Sequence, residues 1–291
     1  MSVIGIGVLL RRSIWVGAVE GAALGDVLIY PAPGQPAVDL KSLRPDEIIA
    51  EICRMATTLG GSAQISSVGA GFPGIVRNGV IEESPNLGQL KGLPIASQLA
   101  GALRAAGIEA PVSVVNDADA LAAGIAVTRE HAARPVRVWY LGDGVGFGHY
   151  PRGDGIWEAG HSVVSLDPRE RYCACGGIGH LEGICGYRAM RLRFLDREPE
   201  EVFAAARHGD TRAADFVRLW HRALAAATAT SIHLEGPGCF YLAGSTTDFV
   251  DSKLLDLYLH EMIKMSPLEG SRFQIVSTSH DLALIGAAAG K

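Results

Sequence analysis

Four side chains of the kind that bind metal ions lie close together in the middle of the sequence. The segment YCACGGIGHLEG contains Cys173, Cys175 and His180, and His161 lies shortly before it. Thiolate and imidazole are ligands that zinc prefers, in a tetrahedral arrangement. One residue separates the two cysteines, which is too few for the Cys-x-x-Cys arrangement of redox sites. These residues therefore predict a structural zinc site.

Two other interpretations of this segment stay open. It could be a glycine-rich loop with reduced thiols and no metal. Cys185 could also replace His180 as the fourth ligand, although a small buried residue on a helix is the more frequent role for such a cysteine. The remaining cysteines, Cys53 and Cys239, stand alone. An odd number of unevenly spaced cysteines does not predict a disulfide framework.

A second group of polar residues follows an apolar strand. In the stretch VVNDADA, Asn116 and Asp117 end the strand and open a helix. This position puts a carboxylate at the carboxyl edge of the sheet, where the ligands of open α/β sheets bind. Asn and Asp also cap helices without taking part in any chemistry. The position alone therefore leaves a catalytic role and a capping role open.

Strands and helices alternate along the chain, which predicts an α/β fold. Two paired strands are predicted for VIGIGVLL and IWVGAVEG, and a helix for PDEIIAEICRMATTLGG. After the cysteine segment the chain becomes mainly helical, and HDLALIGAAAG is predicted to form the last helix. Turns of the form Gly-X-Gly end several strands. Their free amides can hold phosphate, but glycine is also common there for conformational reasons alone.

Composition limits the class of protein. The 291 residues are 48% hydrophobic and 20% charged, which suits two lobes of ordinary domain size. The formal net charge is −5 and no basic stripe recurs, so nucleic acid and anionic membranes are not expected partners. The first apolar run precedes the first arginines, the reverse of a secretory signal, and no run reaches membrane-spanning length. We therefore expect a cytoplasmic protein.

Several motifs, in their order and spacing, resemble those of the ROK family of sugar kinases, which includes bacterial glucokinases and N-acylhexosamine kinases. They are VGAGFPGIV with GVIEESPNLGQLKGLPI, VVNDADALAAG, LGDGVGFG, WEAGH with CACGGIGHLEG, and LAGS with HDLALIGAAAG. The resemblance extends from about Gly69 to Ala289.

The resemblance implies the two-lobed actin-like ATPase (ribonuclease H-like) α/β fold, with a ligand cleft between the lobes and usually a homodimer. The smaller lobe would contain residues 1–117 and would be closed by the C-terminal helix, about residues 280–291. The larger lobe would contain residues 118–279, including the segment of residues 172–183 that holds most of the predicted zinc ligands, here called the zinc segment.

The resemblance also implies roles for individual residues. Asp117 matches the catalytic base, which takes the proton of a sugar hydroxyl as its oxygen attacks the γ-phosphorus of ATP. Zinc and the magnesium that accompanies ATP are the implied cofactors, and the family has a cysteine where this chain has the zinc ligand His180. The implied sugar-binding residues are Gly74, Asn86, Asn116, Asp117, Glu158, His161 and Glu182. The implied nucleotide- and phosphate-binding residues are Arg11, Arg12, Gly142, Asp143, Gly144 and Gly244.

The phosphate-binding motifs depart from the family pattern. In the family the first strand ends in Asp-x-Gly-Gly-Thr. This chain has Gly7 in place of the aspartate, Leu9 and Leu10 in place of the glycines, and Arg11 in place of the threonine. The second phosphate loop, Gly-Thr-Gly in the family, is GDG, so that Asp143 replaces a hydroxyl.

Two hypotheses account for these departures. In the first, a rebuilt donor site still supports phosphoryl transfer, with Arg11 or Arg12 at the phosphate and Asp143 at the metal. In the second, ATP chemistry has been lost and the protein senses sugars. We favour the kinase because the base, the sugar-binding residues and the zinc segment are retained.

A DNA-binding repressor is not expected, since no helix-turn-helix precedes the first strand. A structural subunit is disfavoured, since the helical surfaces carry only mixed charge.

The sugar-binding residues indicate a class of phosphoryl acceptor that includes more than one sugar. Glu158, His161 and Glu182 resemble the glucose and N-acylhexosamine branch of the family more than the fructose branch. A cyclitol with glucose-like hydroxyls would meet the same groups.

Overall fold

The computed structural model describes residues 3–129, 135–153, 155 and 158–290. Strands and helices alternate, as the sequence predicts for an α/β protein. Contacts divide the chain into two units. The first contains the described residues within Met1–Val136, Gly148–Ile156 and Thr278–Lys291, and the second those within Arg137–Phe147 and Trp157–Ser277. Among the described residues, no helix combines the length and the apolar character needed to cross a bilayer.

The strands are β1 (Val3–Leu10), β2 (Ile14–Glu20), β3 (Ala23–Tyr30), β4 (Gln64–Phe72), β5 (Ile75–Arg77), β6 (Val80–Glu83), β7 (Val112–Asn116), β8 (Val136–Leu141), β9 (Val145–Tyr150), β10 (Cys239–Ala243) and β11 (Arg272–Ile275). The helices are α1 (Pro45–Gly60), α2 (Ile95–Ala105), α3 (Asp117–Thr128), α4 (Glu182–Cys185), α5 (Tyr187–Arg193), α6 (Pro199–Arg207), α7 (Thr211–Glu235), α8 (Ser252–Met262) and α9 (Ser279–Ala288).

The first unit is built on a sheet of order β3-β2-β1-β4-β7. β1 pairs antiparallel with β2 and parallel with β4, and β4 pairs parallel with β7. The carboxyl ends of β1, β4 and β7 therefore meet at one edge of the sheet. On one face of β1, Ile6, Val8 and Leu10 are fully buried against the apolar stripe of α1. Strand alternation and helix periodicity thus produce one shared core.

Helices α3 and α9 pack closely together in the first unit. A Cβ at Gly124 would collide with the carbonyl oxygen of Leu282, and a Cβ at Gly286 with that of Ala120. Glycine is required at both positions because only its lack of a side chain allows this approach. The contact places α3 in the first unit. The first unit therefore extends past residue 117, where the sequence-based division ended it.

The second unit has a sheet of order β11-β10-β8-β9, in which β10 pairs parallel with both β8 and β11. Its core surrounds the long helix α7, and the indole rings of Trp139 and Trp220 are fully buried there. A hydrogen bond of 3.0 Å from Trp139 Nε1 to Thr228 Oγ1 satisfies the first of these rings. The sheet and α7 support the zinc segment and the glycine turn after β8.

Candidate active site and metal centre

Asp117 stands at the carboxyl edge of the first sheet, as the first residue of α3. The preceding residue, Asn116, caps the helix, since its Oδ1 accepts hydrogen bonds from the backbone N–H groups of Ala118 at 2.8 Å and Asp119 at 3.3 Å. Asn116 Nδ2 donates to the carbonyl oxygen of Gly74 at 2.8 Å. Because Asn116 supplies the cap, the Asp117 carboxylate is not needed for that purpose.

Arg11 forms an ion pair with Asp117. The distance from Arg11 Nε to Asp117 Oδ2 is 2.9 Å, and the two side chains are 10% and 15% exposed. Arg11 follows β1 directly, and its backbone N–H donates to Ser13 in the turn to β2 at 3.1 Å. The sequence places Arg11 on the phosphate side of the site, whereas the structure shows its guanidinium bound to the residue predicted to be the base. Arg12 lies beside it in the same turn and is exposed.

The predicted sugar-binding residues of the first unit lie on adjacent segments. Gly74 has a positive φ of 106°, and a Cβ there would collide with the carbonyl oxygen of Glu83, so only glycine fits. Asn86 is exposed in the turn that follows β6. That turn is tied to the Gly74 segment by a hydrogen bond of 2.8 Å from Ser84 Oγ to the carbonyl oxygen of Pro73. The structure therefore joins the segments of Gly74, Asn86 and Asn116 by side-chain hydrogen bonds.

Asp119, in the first turn of α3, is a second carboxylate that was not predicted as a site residue. Its Oδ1 accepts a hydrogen bond from the backbone N–H of His149 at 3.0 Å, and its Oδ2 lies 3.7 Å from Arg152 Nε. Arg152 in turn donates to the carbonyl oxygen of Val76 at 2.7 Å. Burial raises the pKa of Asp119 to about 6, the nearby Asp117 also raises it, and the His149 N–H and Arg152 oppose the rise. The network fixes the segment after Gly74 to α3.

The four predicted metal ligands come together in the second unit. Cys173 Sγ lies 3.4 Å from His161 Nδ1 and 3.4 Å from Cys175 Sγ, and Cys175 Sγ lies 3.2 Å from His180 Nδ1. All four ligand atoms lie within 4.8 Å of one another. Zinc bonds to sulfur and nitrogen would place neighbouring ligands of a tetrahedron about 3.3–3.8 Å apart. The donor set and its spacing therefore fit zinc.

Cys185 is not part of this cluster. It is fully buried, and its thiol lies 3.4 Å from the carbonyl oxygen of Trp220. Burial raises the pKa of Cys173 to about 12, and burial together with the neighbouring His161 lowers the pKa of His180. A lowered pKa keeps the imidazole of His180 neutral at pH 7, which is the form that binds metal.

The two ring nitrogens of His161 face different partners. Nδ1 faces the cysteines, whereas Nε2 lies 3.8 Å from Glu158 Oε2. The arrangement is the one expected if His161 binds a metal with one nitrogen and a substrate with the other. Trp157, which begins the WEAGH motif, lies outside the described residues.

An internal ion pair supports the zinc segment. Both terminal nitrogens of Arg193 donate to the Glu170 carboxylate, and its guanidinium lies over the Tyr172 ring at 4.3 Å. The backbone N–H of Gly179 donates to the carbonyl oxygen of Glu170 at 2.8 Å. A Cβ at Gly177 would collide with the imidazole of His180. Gly177 thus leaves room for His180, one of the predicted metal ligands.

Glu182 lies between the zinc segment and the glycine turn after β8. Its Oε2 accepts a hydrogen bond from the backbone N–H of Val145 at 3.1 Å, and its Oε1 lies 3.5 Å from Cys173 Sγ. A Cβ at Gly144 would collide with this carboxylate. Glu182 is therefore held in place by both of its oxygens.

The predicted phosphate-binding residues of the second unit lie on neighbouring turns. Asp143 is the exposed tip of the turn between β8 and β9, flanked by Gly142 and Gly144. The backbone N–H of Thr246 donates to the carbonyl oxygen of Leu141, which brings the segment after β10 beside this turn. Gly244 has a φ of 110° and no space for a Cβ, so glycine is required there.

At the first phosphate motif, the packing leaves no space for the aspartate of the family pattern. A Cβ at Gly7 would collide with the backbone carbonyl of Leu284 in α9. A carboxylate side chain therefore has no place at this position in the present packing of α9 on β1.

The chain belongs to the ROK family, which it matches over residues 41–289. It is 30% identical over 258 residues to a curated glucokinase of Pyrobaculum calidifontis, and the match covers 83% of this chain and 82% of that protein. Its fold is similar to that of a ROK hexokinase from Thermus thermophilus, with a TM-score of 0.78, 23% identity and coverage of 99% of this chain and 97% of the other. A ROK family glucokinase from Streptomyces griseus, solved with glucose and AMPPNP, has a TM-score of 0.74, 22% identity and 98% coverage of both chains.

These comparisons confirm the family and the actin-like ATPase fold that the motifs predict. They also support the predicted enzyme class, an ATP-dependent carbohydrate kinase. Asp119 and its partner Arg152 were not predicted from the sequence, and neither was the Glu170–Arg193 pair. A second acidic residue two positions after Asp117 was the available signal for Asp119. No local signal marks the two arginines, since their partners are distant in sequence.

Proposed function

We propose that this protein transfers the γ-phosphoryl group of ATP to a hydroxyl of a hexose, an N-acylhexosamine or a sugar-like cyclitol, with Asp117 as the general base. The single observation that carries the proposal is the position of Asp117 at the carboxyl edge of the sheet, with the helix cap supplied by Asn116. A carboxylate that is neither exposed nor used as a cap is available to accept a proton. Phosphoryl transfer requires mainly positioning and charge stabilisation beyond such a base.

The proposed sugar-binding residues are those that the family motifs imply. They are Asn86, Asn116, the backbone of Gly74, Glu158, His161 and Glu182. Carboxylates, amides and an imidazole offer the donors and acceptors that a polyol needs. The relative named a glucokinase makes glucose the first acceptor to test.

Zinc is proposed to be held by His161, Cys173, Cys175 and His180, and the ligand distances support this assignment. A zinc ion there would cross-link the segment that carries two of the proposed sugar contacts. His161 would orient its Nε2 toward the sugar and Glu182 would remain fixed beside Gly144.

The donor is proposed to meet Arg12 in the turn after β1 and the glycine turns around Asp143 and Gly244. Asp143 is the residue proposed to hold magnesium, because its carboxylate is exposed at the tip of a turn with small neighbours. The homodimer that is usual in the family is proposed as well, and light scattering tests it.

A phosphorylation screen tests the proposed reaction. Hexoses, N-acetylhexosamines and C7-cyclitols would be offered with ATP, GTP and polyphosphate as donors, to zinc-loaded protein. Product formation with ATP and at least one of these acceptors is expected. Folded, zinc-loaded protein that forms no product with any combination would overturn the proposal.

A second candidate function is sugar sensing without phosphoryl transfer, and one observation favours it. The position of the family's first phosphate-motif aspartate is closed to any side chain by the carbonyl of Leu284. Calorimetry separates the two candidates, since the sensor would bind sugar but no nucleotide. The kinase is preferred because the base and the sugar-binding residues are retained.

A further inference from the structure

The turn after β1 brings a cation to the proposed base. Arg11 directly follows β1 and Asp117 directly follows β7, and β1, β4 and β7 are parallel neighbours in one sheet. Their side chains therefore extend from the same edge, and the distance from Arg11 Nε to Asp117 Oδ2 is 2.9 Å. Both side chains are largely shielded from water, at 10% and 15% exposure. A charge-assisted hydrogen bond in such surroundings is shorter and stronger than a neutral one.

The pair distinguishes the two oxygens of the carboxylate. Arg11 binds Oδ2, and among the described residues no hydrogen-bond donor reaches Oδ1. A general base needs one oxygen aimed at the proton that it accepts, and a second contact that fixes the plane of the carboxylate. The guanidinium provides that second contact through Nε, whose directional N–H holds Oδ2 in place.

The neighbouring histidine does not compete for this role. His280, in the first turn of α9, stacks on Trp15 with ring centroids 4.7 Å apart. Burial and the charge of Arg11 lower the pKa of His280, while Asp281 and Asp117 oppose the shift. His280 is therefore neutral at pH 7, and Arg11 is the cation that balances Asp117 here.

We infer that Arg11 is a positioning residue for the base, which directs Oδ1 of Asp117 toward the sugar hydroxyl and is not primarily a ligand of the donor phosphates. The inference rests on the proposed kinase function. Arg11, which replaces the threonine of the family's first phosphate motif, fixes the orientation of the Asp117 carboxylate.

The two roles predict different kinetics. For a positioning residue, Arg11→Met lowers kcat by about 10- to 100-fold, which is part of the roughly 100- to 10,000-fold that a general base contributes, while KM for ATP and KM for the sugar change by less than about threefold. Arg11→Lys, which keeps the charge but replaces the directional Nε–H with an ammonium group, recovers part of kcat. For a phosphate ligand, KM for ATP rises at least about tenfold and kcat is largely kept.

Matched controls separate the outcomes. Arg54→Met removes another paired arginine of the first unit, one that is exposed on α1, and leaves the kinetics unchanged. Thermal unfolding shows which variants are folded, and if Arg11→Met is not, Arg11→Lys and Arg11→Gln carry the same comparison of kcat with KM. Wild-type kcat in folded Arg11 variants, or a rise confined to KM for ATP, overturns this inference alone. An inactive wild-type protein overturns the proposed function and this role together.

Discussion

The Nε atom of Arg11 lies 2.9 Å from the Oδ2 atom of Asp117, although the two residues are 106 positions apart in the sequence. The contact joins the turn after the first strand to the residue that begins α3. Arg11 replaces the threonine of the family's first phosphate motif, which on the sequence alone suggests a loss of phosphate binding. In the folded protein, this arginine has a defined partner. This partner is the residue on which the proposed chemistry depends.

The base is tested by Asp117→Asn. The amide keeps the shape of the side chain but cannot accept the sugar proton, so kcat is expected to fall at least 100-fold. Sugar affinity measured by calorimetry is expected to stay within about threefold of the wild-type value. Asp46→Asn, at an exposed position of α1, is the control and should leave both quantities unchanged. A variant of Asp117 that retains most of its kcat would show that the carboxylate is not the base.

The metal centre is tested by Cys175→Ala. Purified wild-type protein is expected to contain about one zinc per chain by elemental analysis, because two thiols and two imidazoles lie at ligand spacing. The variant should lose the metal together with thermal stability, since a zinc bound only by the folded state stabilises it. Cys53→Ala, at a lone cysteine of the first unit, should keep the metal. Metal-free wild-type protein with unchanged stability after chelator treatment would contradict the zinc site.

The buried carboxylate of Asp119 gives a prediction about pH. Its pKa is raised from 3.8 to about 6, so the folded state holds this proton more tightly than the unfolded state. The stability that Asp119 contributes is therefore fully present below about pH 4 and is lost as the pH rises through 6. Asp117, His149 and Arg152 are the ionisable groups that face it.

Asp119→Asn should consequently be more stable than the wild type at pH 8, by roughly 1–3 kcal/mol, since one unit of pKa corresponds to about 1.4 kcal/mol. Its amide oxygen can still accept the hydrogen bond from His149. The advantage should shrink steadily between pH 6 and pH 4, as measured by denaturant unfolding. An advantage that does not depend on pH would show that burial of the charge is not its cause.

The close approach of α9 to β1 is tested by Gly7→Ala. The added methyl group meets the backbone carbonyl of Leu284, which cannot move without displacing α9, so a loss of about 3 kcal/mol or more is expected. Gly101→Ala, in α2 with open space around it, should instead be neutral or slightly stabilising. For the same reason, Gly7→Asp is not expected to restore a metal-binding carboxylate to the first strand. A stable Gly7→Ala protein would contradict the packing described here.

The sequence was sufficient for the features that depend on neighbouring residues. The helix predicted for α1, the ligand spacing of the zinc segment and the Asn116–Asp117 junction are local patterns, and the structure contains each of them. Strand β3 was missed, since five of its eight residues are only partly buried and its alternation is weak. The partners of Arg11, Arg152 and Arg193 could not be predicted, because the pairing of strands decides which distant segments meet.

The contact between α3 and α9 also affects how the chain reaches its native state. Strands β1, β4 and β7 are made early during synthesis, but α9, which covers them, is made after the whole second unit. Until α9 emerges from the ribosome, Gly7, Gly69 and Gly124 face no partner helix and the apolar surface around them stays uncovered. The first unit to begin synthesis is thus the last to be completed, and during that interval the nascent chain is most exposed to aggregation and most dependent on chaperones.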